Sequence, residues 1–292
     1  MSSGAAPTFD LQSHSLHSDG ALPPAAVVTA AAAAGVQLLA LTDHDSAEGV
    51  AEAAEAAVAA GIRLVAGTEI SALFDGRQDL HILGYLIDPD DPALRAALAR
   101  SRGDRERRAG AMIAALQGLG WRVDEDMLAE RTELGQSIGR PHLAQAVVRR
   151  PENRERLEAA SLLDPTAFLV AYLIEGKPAF VARAAPTVRE AIELIHGAGG
   201  VAVWAHPFWD LAEPSDVLDV LDRFVEMGMD GVEAFYVTHT QDQTRLLAAR
   251  CAELGLISTG SSDFHGPEHQ TFSAFRAFDT YGLEPRLGAL AR

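Results

Sequence analysis

Nine histidine, aspartate and glutamate side chains fall into five short clusters, and mixed imidazole and carboxylate sets are what divalent first-row metals accept. The first cluster is D-L-Q-S-H-S-L-H-S-D-G, residues 10–20. With Phe9–Leu11 as a strand, residues two apart face alike, so Gln12 and His14 project together and Asp19 follows in a loop closed by Gly20. A polar turn in which Asp19 caps the next helix is the competing reading. The second cluster is L-T-D-H-D-S, residues 41–46, where Asp43, His44 and Asp45 repel and desolvate one another unless solvent or a cation satisfies them. Glu69 in G-T-E-I-S and His81 in H-I-L-G-Y each abut an apolar run; alone, His81 reads as a satisfied core histidine, and beside a glutamate as a ligand. His206 ends V-W-A-H-P, where Pro207 stops a strand ladder. In S-S-D-F-H-G, Asp263 and His265 alternate with Phe264, so both can face one pocket while the ring packs behind. Each cluster alone is a weak signal; the five in this order are a specific one.

The elements that must carry these residues alternate. Short apolar strand candidates (Phe9–Leu11, QLLALT, RLVAGTEIS, HILGYLI, VAVWAHP, GVEAFYV, LISTGSSD) are separated by amphipathic or Ala-rich helices. Pro23 and Pro24 open the first helix and Gly35 closes it; Ser46 is the expected cap of the second, which runs to Ala60. This rhythm predicts βα units, a largely parallel sheet and an α/β fold. In a βα barrel the carboxyl ends of the strands form one rim, where side chains from distant segments converge. From Asp91 to about Glu175 the chain reads as helical without a convincing strand, and the run ARSRGDRERRAG reads as a solvated helix face. The expected organisation is a first barrel part over 8–90, a helical insertion over 91–178 and a second barrel part over 179–292. No internal repeat of 20–50 residues is present.

Composition excludes several classes. With 41 acidic against 24 basic residues, the formal net charge of −17 argues against a duplex-DNA binder, which needs a basic face to displace counterions. A phosphorylated substrate stays possible, because bound divalent metals reverse the local field. The single cysteine, Cys251, excludes an intrachain disulfide framework and fits a reducing cytoplasm; it lies on an apolar helix face and reads as core. No apolar run reaches the ~18 residues of a membrane span. The N-terminus lacks the basic-then-apolar pattern of a secretory signal.

The ordered motifs QSH…D, TDHD, GTEIS, HILGY, AHP and SDFH resemble the polymerase and histidinol phosphatase (PHP) family of metallophosphoesterases. Within it they are most similar to the bacterial branch acting on nucleotide phosphates and short RNA, including 3′,5′-bisphosphate nucleotidases. The likeness covers about Phe9–Ile87 and Thr187–His265. It implies a distorted (β/α)7 barrel with a mostly helical insertion domain and a centre of two to three divalent ions, Mn²⁺ foremost and Fe²⁺ or Zn²⁺ as alternatives. It further implies that His14, Glu69 and Asp263 hold the first metal. Glu69 would bridge to a second, completed by His81 and His206, while Asp19, His44 and His265 hold a third. The family usually has histidine where this chain has Gln12; a carboxamide oxygen is a weaker ligand for such metals, so the first position is expected to be the loosest.

S-I-G-R-P-H-L, residues 137–143, starts a helix in the insertion. The resemblance favours Arg140 and His142 as substrate ligands, with Lys177 a weaker candidate. Arg140 offers a planar fork of donors for phosphate; a plain helix start with a surface arginine is the competing reading. Asp43, next to His44, orients or deprotonates the attacking water, or only supports a ligand. His239 follows the strand GVEAFYV, within reach of the rim, but reads first as a solvated surface histidine; His196 reads as a cation near a helix C-terminus, and His269 has no role. The expected activity is hydrolysis of a phosphate monoester of a small nucleotide by metal-activated water. No Ser or Cys nucleophile motif competes with it. A 5′→3′ exonuclease on short RNA ends, a histidinol-phosphate-type phosphatase, and a weakly active metal or nucleotide sensor are the alternatives.

Overall fold

The structure, a computed structural model, describes residues 7–133 and 138–292, the side chains of 77–79 excepted. Ser137, which opens the S-I-G-R-P-H-L segment, and most of the N-terminal run read for a signal lie outside the described residues.

Seven strands form one sheet in sequence order: β1 (Phe9–Asp10), β2 (Leu38–Leu41), β3 (Arg63–Phe74), β4 (Arg77–Tyr85), β5 (Val201–Trp204), β6 (Gly231–Tyr236) and β7 (Ile257–Ser261). Leu11 N donates to Gly260 O at 3.1 Å and Ser13 bridges Phe264 in parallel, so the first and last strands close the ring. The fold is therefore the distorted seven-stranded α/β barrel that the motifs implied. One strand departs from the parallel expectation: β4 runs antiparallel to both β3 and β5. The cause is local. Asp75 (φ 48°) and Gly76 (φ 76°) make a two-residue hairpin turn, so the chain folds straight back without a crossover helix.

Helices α1 (Pro24–Ala33), α2 (Val50–Ala60), α8 (Val188–Gly197), α10 (Pro214–Glu226) and α11 (Gln241–Leu254) make the βα connections. Their ends follow capping chemistry. Thr187 with Glu190 and Thr240 with Gln243 form capping boxes, and Gly61 and Gly255 end helices in the left-handed conformation. Ser46 does not cap α2, which starts at Val50; its hydroxyl accepts from Glu48 N and closes a turn before the helix. The barrel core includes Leu11, Ile70, Ile82, Tyr85, Trp204 and Phe235, each at most 1% exposed.

Two compact units divide the chain: Met1–Ala99 with Pro186–Arg292, which holds the barrel, and Arg100–Ala185. The second contains most of α3 (Pro92–Gly118) and all of α4 (Glu125–Glu133), α5 (Arg140–Val148), α6 (Arg154–Ala159) and α7 (Pro165–Tyr172). It has its own apolar core, in which Trp121 meets Phe168 and Tyr172 edge-on and Arg156 lies 3.8 Å over the indole. No described residue of this unit is in a strand. No described helix is long and apolar enough to cross a membrane.

Candidate metal centre

The ends of β1, β2, β5 and β7 deliver Gln12 and His14, Asp43 and His44, His206, and Asp263 and His265. Glu69 and His81 lie inside β3 and β4 rather than at strand boundaries, because the hairpin continues past the rim; Ser71 pairs with His81 and Glu69 with Leu83. All eight expected ligands meet there. Glu69, fully buried, is the hub. Its Oε1 lies 2.7 Å from His81 Nδ1 and 3.3 Å from His206 Nε2; its Oε2 lies 3.1 Å from His14 Nε2 and 3.6 Å from His44 Nδ1. His14 Nε2 is also 3.0 Å from Asp263 Oδ1. A second gathering point is Asp19, with His265 Nε2 at 3.4 Å, His44 Nε2 at 3.6 Å and His14 Nδ1 at 3.7 Å. Three overlapping groups result: His14–Glu69–Asp263, His44–Glu69–His81 and His14–Asp19–His44–His265, in each of which the donor atoms lie within 4.8 Å of one another. His206 joins through Glu69 and through His81 Nδ1 at 3.4 Å.

These donors fit divalent cations. His14 Nε2, Asp19 Oδ1, His44 Nδ1 and Asp263 Oδ1 are buried without a hydrogen-bond partner. Each such atom costs about 1–3 kcal/mol unless something satisfies it, and four in one cluster of imidazoles and carboxylates ask for a positive ion. Proton affinities in the cluster diverge. Burial drives His44 down to about 3, with repulsion from His14 and His81 opposing the pull of Glu69 and Asp19. Burial alone would raise Glu69 and Asp19; the surrounding imidazoles, His44 first, hold both well below the usual carboxylate range. Burial also opposes charge on His14 and His206, but their carboxylate partners outweigh it and place His206 at about 9. A cation bound by these residues would compete with those protons.

Behind the ligands, polar contacts fix the turns that carry them. Asp43 accepts from Ser15 N, Ser15 Oγ and Ser18 Oγ, all at 2.7 Å, and so anchors the loop between His14 and Asp19. Of its two expected roles, this occupancy favours the supporting one. Asp45 binds Ser71 N at 3.1 Å and Ser71 Oγ at 3.3 Å. The outer acids of T-D-H-D thus tie down backbone while His44 enters the cluster. Gly20 closes the same loop against the His14 carbonyl, where a Cβ would collide. Gln12 Nε2 donates to Glu69 Oε2 at 2.9 Å and its carbonyl accepts from Ser261 Oγ at 3.3 Å, so the amide nitrogen faces the hub.

Other contributors escaped the sequence reading. Tyr236 donates its hydroxyl to Asp263 Oδ2 at 2.7 Å. Glu233 Oε2 accepts from His206 N at 2.9 Å, and its Oε1 accepts from Ser261 Oγ at 2.5 Å. The one signal for Glu233 was a carboxylate within the apolar run GVEAFYV. Burial raises its carboxyl to about 8.

Arg140, His142 and Lys177 belong to the second unit. Arg140 begins α5, with Gly139 as its cap, and His142 Nδ1 accepts from Gly139 N at 3.0 Å. Lys177 is exposed. His239 is not solvated: it is 5% exposed, edge-on to Phe208 at 5.3 Å, and its Nδ1 lies 3.3 Å from Ala234 O. The rings of Phe208 and Tyr236 cover it, and burial lowers it to about 4. His196 Nε2 is hydrogen-bonded to Asp230 Oδ2 at 2.8 Å, a partner the sequence did not indicate, and Cys251 is core as expected.

A βα barrel with a rim of imidazoles and carboxylates around one buried glutamate has the donor set of a divalent metal centre. The chain belongs to the PHP family: the PHP domain model matches residues 10–196. It is 37% identical over 260 residues to a 3′,5′-nucleoside bisphosphate phosphatase of Chromobacterium violaceum, covering 89% of this chain and 87% of that protein. It is 35% identical over 259 residues to a 5′-3′ exoribonuclease of Haemophilus influenzae, covering 89% and 90%. A solved amidohydrolase from Chromobacterium violaceum, with sulfate and no metal bound, superposes with a TM-score of 0.77 at 33% identity, over 97% of this chain and 93% of that one.

Proposed function

We propose that this phosphoesterase removes a phosphate monoester from a small nucleotide, a 3′,5′-bisphosphate first and a monophosphate second, using two to three divalent ions, Mn²⁺ foremost. The observation that carries the reading is the Glu69 hub, whose two oxygens face different imidazole sets, as a carboxylate shared between cations would. The likeness to a nucleoside bisphosphate phosphatase over nearly the whole chain supports the substrate class.

His14, Glu69 and Asp263 would hold one cation, Glu69, His81 and His206 a second, and Asp19, His44 and His265 a third. Bound there, the cations supply charge neutralisation for the phosphoryl oxygens and a water acidic enough to attack phosphorus in line. Asp43 keeps the His14–Asp19 loop in place, and Tyr236 holds the carboxylate of Asp263 in one orientation. Arg140, with its planar fork of donors, is the proposed substrate-phosphate ligand of the helical unit, with His142 and Lys177 beside it in that role. The same reading puts the enzyme in the cytoplasm, where its single thiol stays reduced.

The test strips the protein of metal, reconstitutes it with Mn²⁺, and measures phosphate release from nucleotide bisphosphates, nucleotide monophosphates, sugar phosphates and histidinol phosphate. Fastest kcat/KM on a nucleotide bisphosphate is expected; a preference for histidinol phosphate or a sugar phosphate refutes the substrate assignment. The exoribonuclease relative favours a second reading, cleavage at short RNA ends. Mononucleotide release from a short 5′-phosphorylated RNA, faster than phosphate release from the bisphosphate, selects it.

A further inference from the structure

Beside the metal centre runs a band of aromatic rings, of which only Tyr236, through Asp263, takes part in the reading above. The short helix α9, Pro207–Asp210, follows directly on His206 and carries Trp209 with 59% of its surface exposed. Trp209 is the one aromatic side chain among the exposed large hydrophobics of the described residues, whereas Trp121 and Trp204 are buried. Its ring centroid lies 6.4 Å from that of His206, 6.4 Å from Tyr236 and 5.8 Å from Phe272. Phe272 in turn lies 5.4 Å from His265, so the band links two proposed ligands, His206 and His265. Tyr236 and Phe272 are buried, and the Tyr236 hydroxyl is committed to Asp263. They back the band. The indole of Trp209 is its open surface.

A large planar apolar ring left in water beside a metal centre offers a face on which a flat ligand group can stack. The ligand here must have a phosphate at one end for the metal centre and a flat aromatic group at the other. In a nucleotide one ribose separates phosphate from base, and in the protein one ring contact separates Trp209 from His206. Every base offers a π-face, so stacking on indole tolerates different bases and favours the larger purines.

We propose that Trp209 is the base platform of the substrate site, so that the enzyme selects nucleoside-bearing phosphates over base-free ones. This rests on the phosphoesterase reading above and narrows it to substrates with an aromatic base. An aliphatic phosphate engages the metal centre without using the ring.

The experiment compares the reconstituted wild type with Trp209→Ala and Trp209→Phe, using adenosine 3′,5′-bisphosphate and glycerol phosphate as substrates. The wild type decides the parent reading first: no turnover of either compound refutes the phosphoesterase assignment, and preference for glycerol phosphate refutes its nucleotide form together with the platform. With nucleotide preference present, Trp209→Ala is expected to cut the bisphosphate-to-glycerol-phosphate ratio of kcat/KM roughly 5- to 150-fold, the range of base stacking on an aromatic ring. The loss should fall mainly on KM, and Trp209→Phe should recover part of it. An independent readout is adenosine monophosphate titrated against tryptophan emission: it should quench the wild type and lose most of that effect in Trp209→Ala. An unchanged ratio, an equal loss on both substrates, or quenching that survives in Trp209→Ala overturns the platform. So does a fall from dimer to monomer in Trp209→Ala, which would make the ring a contact between two copies of the chain.

Discussion

Replacing Gln12 by histidine should tighten metal binding while weakening the metal-free protein, and the two effects have separate structural origins. Gln12 is fully buried, donates to Glu69 Oε2 at 2.9 Å and accepts from Ser261 at 3.3 Å. A hydrogen bond to an ionised carboxylate contributes about 1.5–3 kcal/mol, so its loss or distortion destabilises the metal-free fold by an amount of that order. An amide nitrogen has no lone pair for a cation, whereas an imidazole in its place has one. Gains of roughly 10- to 100-fold in affinity, about 1.4–2.8 kcal/mol, are what such a change at a metal site carries. Because a ligand that binds only the folded protein stabilises it more as its affinity rises, the metal-induced rise in melting temperature should grow by about 2–5 °C in Gln12→His at saturating metal. The assay combines a Mn²⁺ titration by calorimetry, metal content by elemental analysis, and thermal melts with and without metal. Equal stoichiometry, equal affinity and equal melting shifts in the two proteins would refute the reasoning and credit a complete metal site to the chain as it stands.

Glu69→Gln removes the shared negative charge with little change of shape; metal content should fall by at least one ion per chain and phosphate release by about 100-fold or more, and full metal occupancy in that variant would break the hub assignment. Arg140→Ala should raise KM for the nucleotide roughly 10- to 100-fold, the scale of a charge-assisted phosphate contact, while an unaltered KM removes Arg140 from the substrate site. Cys251 is fully buried and burial pushes its thiol up to about 12, so thiol reagents at pH 8 should react only after unfolding; rapid labelling of the native protein contradicts this. The metal-free protein should lose stability as pH rises from about 6.5 to 9. His206 is raised from 6.5 to about 9, so its contribution is full below 6.5 and lost through 9, and the raised carboxyls of Glu233 (about 8) and Asp10 (about 7) act in the same direction. Melts across that window check it, with a flat or rising profile as the contrary result.

The ligands were legible because each is a charged or imidazole side chain set against apolar strand sequence, where an unpaired polar group is costly. The convergence of those at the parallel strand ends followed from the βα rhythm, since parallel strands put their carboxyl ends on one rim. The direction of β4 was not read, although Asp75-Gly76 between two apolar runs is a strong short hairpin signal. Without that reversal His81 would not face Ser71 across the hairpin, and its 2.7 Å contact with Glu69 would not form. His239 was misread because its neighbours, Thr238 and Thr240, are polar; the rings that bury it, Phe208 and Tyr236, arrive from other turns of the fold.

The supporting contacts were hardest to see, and the backbone shows why. Asp45, His206 and Asp263 all have positive φ, at 50°, 27° and 52°. Sequence rules assign such positions to glycine, because a side chain there costs of order 1–3 kcal/mol. Glycine would remove the strain and with it the imidazole of His206, the carboxylate of Asp263 and the grip of Asp45 on Ser71. The strain at His206 is held by Glu233, which accepts its backbone N–H, and at Asp263 by Tyr236, which binds its carboxylate. Local propensity therefore fails at these residues for a functional reason. The side chain has to be where the backbone would prefer none, and the neighbours that enforce this are remote in sequence.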